Sequence, residues 1–246
     1  MKITFFKNES HFYPRVSYTW ENAEELKLSR GTLKARICLS LILLIPFVAY
    51  LYLFLKNNTD KFFIGFAIII LTLPLHELCH ALYCVIIGRK VERISFFPYK
   101  SLLAPEAYVV PSFNSWKKHQ AILLSAFQLI LMSALPAILA VFDSPLRPYL
   151  LILSLSNIST AAFDIIDIIH FIRFPKDSIY FIHFSLKAKD VDRPIVIHQL
   201  SITPKLDKIH HRQFEYFEDK LTEQEIVTDT PATEQLKKEF IAQFNL

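Results

Sequence analysis

Apolar residues gather along this chain into four long blocks with almost no charge, at 37–55, 62–87, 119–142 and 148–172. Each is at least as long as the roughly 18–20 residues a helix needs to cross a hydrocarbon core. Polar residues dominate between and beyond them. The pattern predicts an all-α polytopic membrane protein with four transmembrane helices. It divides into a cytoplasmic N-terminal segment (1–36), a four-helix membrane domain (37–172) and a cytoplasmic C-terminal tail (173–246).

The connections carry weaker patterns. Val91–Phe97 and Ala107–Phe113 are rich in β-branched and aromatic residues and are separated by prolines. They fit two short strands lying near the membrane face, or an amphipathic loop. In the tail, 177–204 has strand-like runs (IYFIHFSL, RPIVIHQLSIT). Residues 205–246 are expected to be charged helices.

Charge orients the blocks. Lys and Arg number seven in 1–36, two in 56–61, six in 88–118, one in 143–147 and eleven from 173 onward. The alternation of rich and poor segments places both termini in the cytoplasm by the positive-inside rule. The first apolar block starts late, which predicts an uncleaved insertion signal and no cleavable leader.

Composition changes this picture little. Of 246 residues, 52% are hydrophobic, and the net charge is +4. The tail sets 11 Lys/Arg against 12 Asp/Glu, which is no nucleic-acid footprint. Cys38, Cys79 and Cys84 all lie in apolar blocks and read as small buried hydrophobes, not as a disulfide framework.

The acidic residues are more informative. Only Glu77, Asp164 and Asp167 lie inside the four blocks, where an ionisable group is costly and marks a functional site by default. Glu77 belongs to His76-Glu77-Leu78-Cys79-His80, an HExxH. On a helix, His76 and His80 share one face and can bind one metal ion, with Glu77 placed to act as general base on water. A catalytic zinc usually takes three protein ligands. The third is expected from the fourth block, where Asn157, Thr160, Asp164 and Asp167 recur at helical spacing along one stripe. Asp164 lies eight residues from the end of its block. His76 and His80 lie eleven and seven from theirs, so Asp164 matches their depth best. Asp167 is the alternative ligand or a supporting group, and Asn157 a hydrogen-bonding partner. His210-His211 in the tail has no partner at metal spacing.

HELCH in an apolar span, a strand-like loop, another span, and then an Asn followed by an Asp resemble the bacterial membrane zincin peptidases. These are in turn similar to the intramembrane site-2 zinc proteases. The resemblance covers roughly 60–190. It implies an inner-membrane zinc metallopeptidase with His76, His80 and Asp164 as ligands to Zn2+ and Glu77 as catalytic base. Its substrates would be membrane or membrane-proximal proteins or peptides. The chain departs from the site-2 pattern in having no Pro three residues after Asn157, Ile165 after Asp164, and a spacing of seven in place of eight.

Two other functions use the same features differently. A metal or proton transporter would use the His/Asp/Glu cluster as a pathway, but four spans show no inverted repeat and Glu77 would be redundant. A non-catalytic membrane adaptor would have no use for ionisable groups at membrane depth.

Overall fold

The structure, a computed structural model, describes residues 2–5, 15–27, 31–57, 61–96, 107–142, 144–181, 184–202 and 208–231. Strands β1 (Lys2–Phe5), β2 (Arg15–Glu21) and β3 (Ala23–Glu25) precede two long helices, α1 (Gly31–Asn57) and α2 (Phe62–Ile86). Strands β4 (Val91–Phe96) and β5 (Ala107–Pro111) follow. Helix α3 (Lys118–Leu129) runs through a π-helical turn, Ile130–Ala134, into α4 (Leu135–Leu139). Helices α5 (Arg147–Thr160) and α6 (Ala162–Arg173) come next. The tail holds β6 (Ile179–Tyr180), β7 (Ser185–Ala188), β8 (Ile195–Ile202), β9 (Lys208–Phe217) and β10 (Lys220–Pro231).

The all-α expectation is therefore overturned. Three sheets form, with strand orders β1-β4-β5, β10-β9-β8-β2 and β3-β7-β6. The N-terminal segment is drawn into all three, because its strands pair with partners far along the chain. Tyr18 lies opposite Gln199, and Ile3 runs parallel to Ile94. Such pairings leave no mark on local periodicity. Of the two readings of 91–113, the strands form: β4 and β5 pair antiparallel, Ile94 opposite Val109.

The charged tail helices are also corrected. Residues 208–231 are a β-hairpin, with Glu218 and Asp219 at its turn, both at positive φ (47° and 64°). That is the backbone of a two-residue hairpin turn, which usually announces itself by Asn-Gly or Asp-Gly. Here Glu-Asp hides it. Strand charges pair across the ladder, as Arg212 does with Glu223 at 3.5 Å. The end of the expected helical region, 232–246, lies outside the described residues.

Among the described residues, three helices are long and apolar enough to cross a membrane: Lys34–Asn57, Phe62–Ile86 and Lys118–Leu139. The expected fourth span is not one helix. α5 and α6 meet at Ala161 with a bend of 59°. No Pro or Gly marks the break. The hydroxyls of Ser159 and Thr160 instead bond back to the carbonyls of Ser156 and Asn157, at 2.7 and 2.9 Å, which competes with the helical ladder. Ala161 and Ala162 are fully buried, and their small side chains fit the corner.

Packing follows from these elements. Gly65 of α2 sits against α1 and α5, where an added Cβ would lie 3.0 Å from Phe54 Cε1 and 3.4 Å from Ile152 Cδ1. A first apolar core joins the end of α2 to the β4–β5 hairpin, with Cys84, Ile94, Trp116 and Tyr180 at its centre. A second, around Leu186, Ile195, Ile197 and Phe214, lies within the tail and accepts Phe113 from the end of the hairpin. Backbone bonds between Trp116 and Tyr180 (2.7 and 3.2 Å) link the two.

Candidate metal centre

α2, α3, α5 and α6 enclose the polar site. Nε2 of His80 lies 3.2 Å from Nε2 of His76. The Asp164 carboxylate faces both, with Oδ2 at 3.2 Å from His76 and Oδ1 at 3.5 Å from His80. These ligand atoms all fall within 4.8 Å of one another, the one such group among the described residues.

The outer nitrogens explain how the rings are aimed. Nδ1 of His76 is 3.0 Å from Oδ1 of Asn157, and Nδ1 of His80 is 2.9 Å from the Leu124 carbonyl. Both partners are acceptors, so Nδ1 carries the proton in each ring and Nε2 is left as a lone pair. The Asn157 amide orientation is itself fixed, because Nδ2 donates to Gln128 Oε1 (2.8 Å) and Ser133 Oγ (2.7 Å). Ser133 lies in the π-helical turn, and its carbonyl accepts from Ser154 at 2.9 Å. Asn157 and Gln128 are both fully buried. The network is continuous from the π-turn to the metal-facing nitrogen.

The residues fit a zinc ion. Two imidazole nitrogens and a carboxylate converge on one point, an arrangement that a cation neutralises. Bonds of about 2.0–2.1 Å around a tetrahedral zinc give ligand–ligand edges of about 3.3 Å. The observed 3.2, 3.2 and 3.5 Å match. Two neutral His and one carboxylate are a donor set that zinc accepts. Three ligands leave a coordination position for water or substrate.

A cavity of about 700 Å3 opens beside this group. Glu77 lines it next to His76 and His80, and its carboxylate accepts from the backbone of Val109 on β5. The remaining wall is largely apolar, with Val109, Trp116, Leu124, Phe171, Tyr180 and Phe181. Tyr180 and Phe181 belong to the tail, so the tail forms part of the site.

Of the sequence-derived candidates, the structure brings together His76, Glu77, His80 and Asp164. It separates the expected stripe. The bend at Ala161 leaves Asn157 on α5, behind His76, while Asp164 on α6 faces the ring's other nitrogen. Asp167, one turn on from Asp164, is ion-paired with Arg36 of α1, whose guanidinium also lies over the Phe163 ring at 5.0 Å. Asp167 lines the cavity but its carboxylate is engaged with Arg36. Thr160 is exposed to the cavity.

Sequence reasoning missed Gln128, Ser133, Arg36 and the Leu124 carbonyl. Gln128 had a usable signal, since it is a lone amide in the middle of an apolar block. Arg36 had none, because it lies just outside the first block and its partner is 131 residues away. His211 is not isolated: strand pairing sets its Nε2 3.2 Å from Nδ1 of His198. Burial and the neighbouring His198 hold its pKa below the ordinary imidazole value.

Comparison with known proteins bears on the same segment. Residues 69–179 match the family described as "Putative zincin peptidase", and they contain the HExxH, Asn157 and Asp164. The segment is similar to that family over these residues, which are a little under half of the chain. The match does not extend to the site-2 proteases. No curated protein and no solved structure matches the chain.

Proposed function

We propose that this protein is a membrane-embedded zinc metallopeptidase that hydrolyses peptide bonds of membrane or membrane-proximal substrates. The observation that carries the reading is the convergence of two imidazole lone pairs, one carboxylate and a second, separate carboxylate in a single cavity. His76, His80 and Asp164 would hold the zinc ion. When bound, zinc supplies Lewis acidity that polarises a carbonyl and makes water more acidic.

The other roles fall to the chain itself. Glu77 takes a proton from the attacking water and delivers it to the departing amine as the C–N bond breaks. Its neighbour Val109 holds the carboxylate at the cavity wall. Asn157 and the Leu124 carbonyl keep both imidazoles in the tautomer that presents Nε2. Arg36 occupies Asp167, so that Asp164 alone faces the two rings. The apolar wall excludes bulk water and accommodates apolar side chains of the substrate.

Among the described residues β5 is one of the two edge strands of its sheet, and its Val109 and Pro111 line the cavity. This supports pairing of an extended substrate segment with β5, by strand addition. The N-terminal segment, the 88–118 connection and the tail share sheets and packing contacts. That supports placing these segments, each rich in Lys and Arg, together on the cytoplasmic side of the inner membrane, with both termini.

The test is paired. Purified wild type and Glu77→Gln are compared for bound zinc and for cleavage of a membrane-protein substrate. Zinc in both and cleavage in wild type alone is expected, with a loss of at least about a hundredfold in the variant. Wild type that binds no zinc would sink the proposal. Equal metal flux across vesicles by both proteins would favour a transporter instead.

A further inference from the structure

The four-stranded sheet β2–β8–β9–β10 has two unlike faces. Trp20, Ile197 and Phe214 turn one face into the tail core. Side chains alternate along a strand, so the pairings of Thr19 with His198 and of Leu200 with His211 set both His on the other face. The two rings approach from adjacent strands, with centroids 5.3 Å apart.

Three atoms define the arrangement. Nδ1 of His198 lies 3.2 Å from Nε2 of His211. Oε1 of Glu21, on β2, lies 3.6 Å from the opposite nitrogen of His198, Nε2. The carboxylate lies just beyond hydrogen-bond reach of Nε2, and a proton held on that side leaves Nδ1 as a lone pair directed at His211. A carboxylate behind a histidine is the arrangement that orients metal-binding imidazoles and raises their basicity. The 3.2 Å separation also equals the edge expected for two nitrogens at about 2.0–2.1 Å from one ion.

We propose that His198 and His211 form a second metal site, separate from the His76–His80–Asp164 centre. It takes a borderline divalent cation of the zinc type through His198 Nδ1 and His211 Nε2, with Glu21 behind His198. Imidazole donors select such ions over Mg2+ or Ca2+, which prefer oxygen. Two protein ligands at a partly exposed sheet surface leave the other positions to water, so the ion is exchangeable. It clips β8 to β9 on the sheet whose inner face packs against Phe113 at the end of the β4–β5 hairpin. An N–H···N hydrogen bond fits the same distance, so the experiment must distinguish an ion from a proton.

Tag-free full-length protein in detergent is equilibrated with excess zinc, and the bound equivalents are counted. Wild type is expected to hold one equivalent more than His198→Gln/His211→Gln. The variant His76→Ala/His80→Ala is expected to retain that equivalent, and Glu21→Gln to weaken it about tenfold. Equal zinc content in wild type and the His198/His211 variant overturns the proposal. Should that variant fail to fold, the His76/His80 variant decides alone: no bound zinc in it overturns the second site. Each centre is removed independently, so failure of one leaves the other measurable.

Discussion

Asn157 Oδ1 lies 3.0 Å from Nδ1 of His76, on the far side of the ring from Asp164. The two residues are only seven apart, yet they address opposite nitrogens of one imidazole. The bend at Ala161 makes this possible, because it lets α5 pass behind His76 while α6 passes in front. Asn157 thus fixes which nitrogen of His76 faces Asp164 and His80.

Removing that amide should therefore cost metal affinity more than fold. Asn157→Ala leaves the His76 tautomer undirected and should weaken zinc about 10–100-fold. Competition with a chromophoric chelator measures this. Unchanged affinity would show that the His76 ring is aimed by something else.

Asp164 and Asp167 should behave differently. Asp164→Ala removes one of three converging donors and should leave the protein without zinc after dialysis. Asp167→Ala should retain it, because that carboxylate is engaged with Arg36. Metal analysis of the two proteins decides, and the reverse pattern would make Asp167 the ligand.

The contact of the tail hairpin with the start of α3 should respond to acid. The ammonium of Lys117 and the hydroxyl of Tyr216 both bond the Asp219 carboxylate, at 2.9 and 3.0 Å. They hold its pKa below the ordinary carboxylate value. A carboxylate whose pKa falls on folding adds stability above its unfolded pKa, and loses it as pH drops through the folded value. The contribution should be full above about pH 4 and decline progressively below it, as pH falls toward the folded pKa. It is small, at most about 1 kcal/mol, since the pair is exposed. Melting curves of wild type and Asp219→Asn should converge on acidification; a constant offset would refute the linkage.

Gly65 marks a close helix approach. Ala there would set its Cβ 3.0 Å from Phe54 Cε1, and a larger side chain has no room beside Ile152. Gly65→Leu should destabilise by about 1–3 kcal/mol through overpacking. Thermal unfolding in detergent measures it, and an unchanged midpoint would mean that α1 can move aside freely.

Much of the candidate site was legible along the chain. HExxH is local: four residues of helix suffice to stack His76 over His80, and apolar surroundings single out Glu77, Asp164 and Asp167. Depth within a span favoured Asp164 over Asp167 without any knowledge of packing. What surrounds the ligands was not legible. Arg36 on Asp167, Gln128 and Ser133 behind Asn157, and Tyr180 in the cavity wall all come from remote elements. The bend at Ala161 escaped notice because hydroxyl back-bonding, unlike proline, is optional wherever Ser and Thr occur.

The sequence by itself determined which segments are apolar enough for a membrane and which four residues make up the candidate site, because hydrophobic runs and i, i+4 spacing act within a turn or a span. Only the tertiary structure decided that the described parts of the N-terminal segment and of the tail form strands, that the last apolar block is broken in two, and that His198 meets His211. Strand pairing is the reason. Its partners are chosen by register over as many as 187 residues, as for Arg15 and Ile202, and alternation within one strand does not identify the strand that will lie beside it.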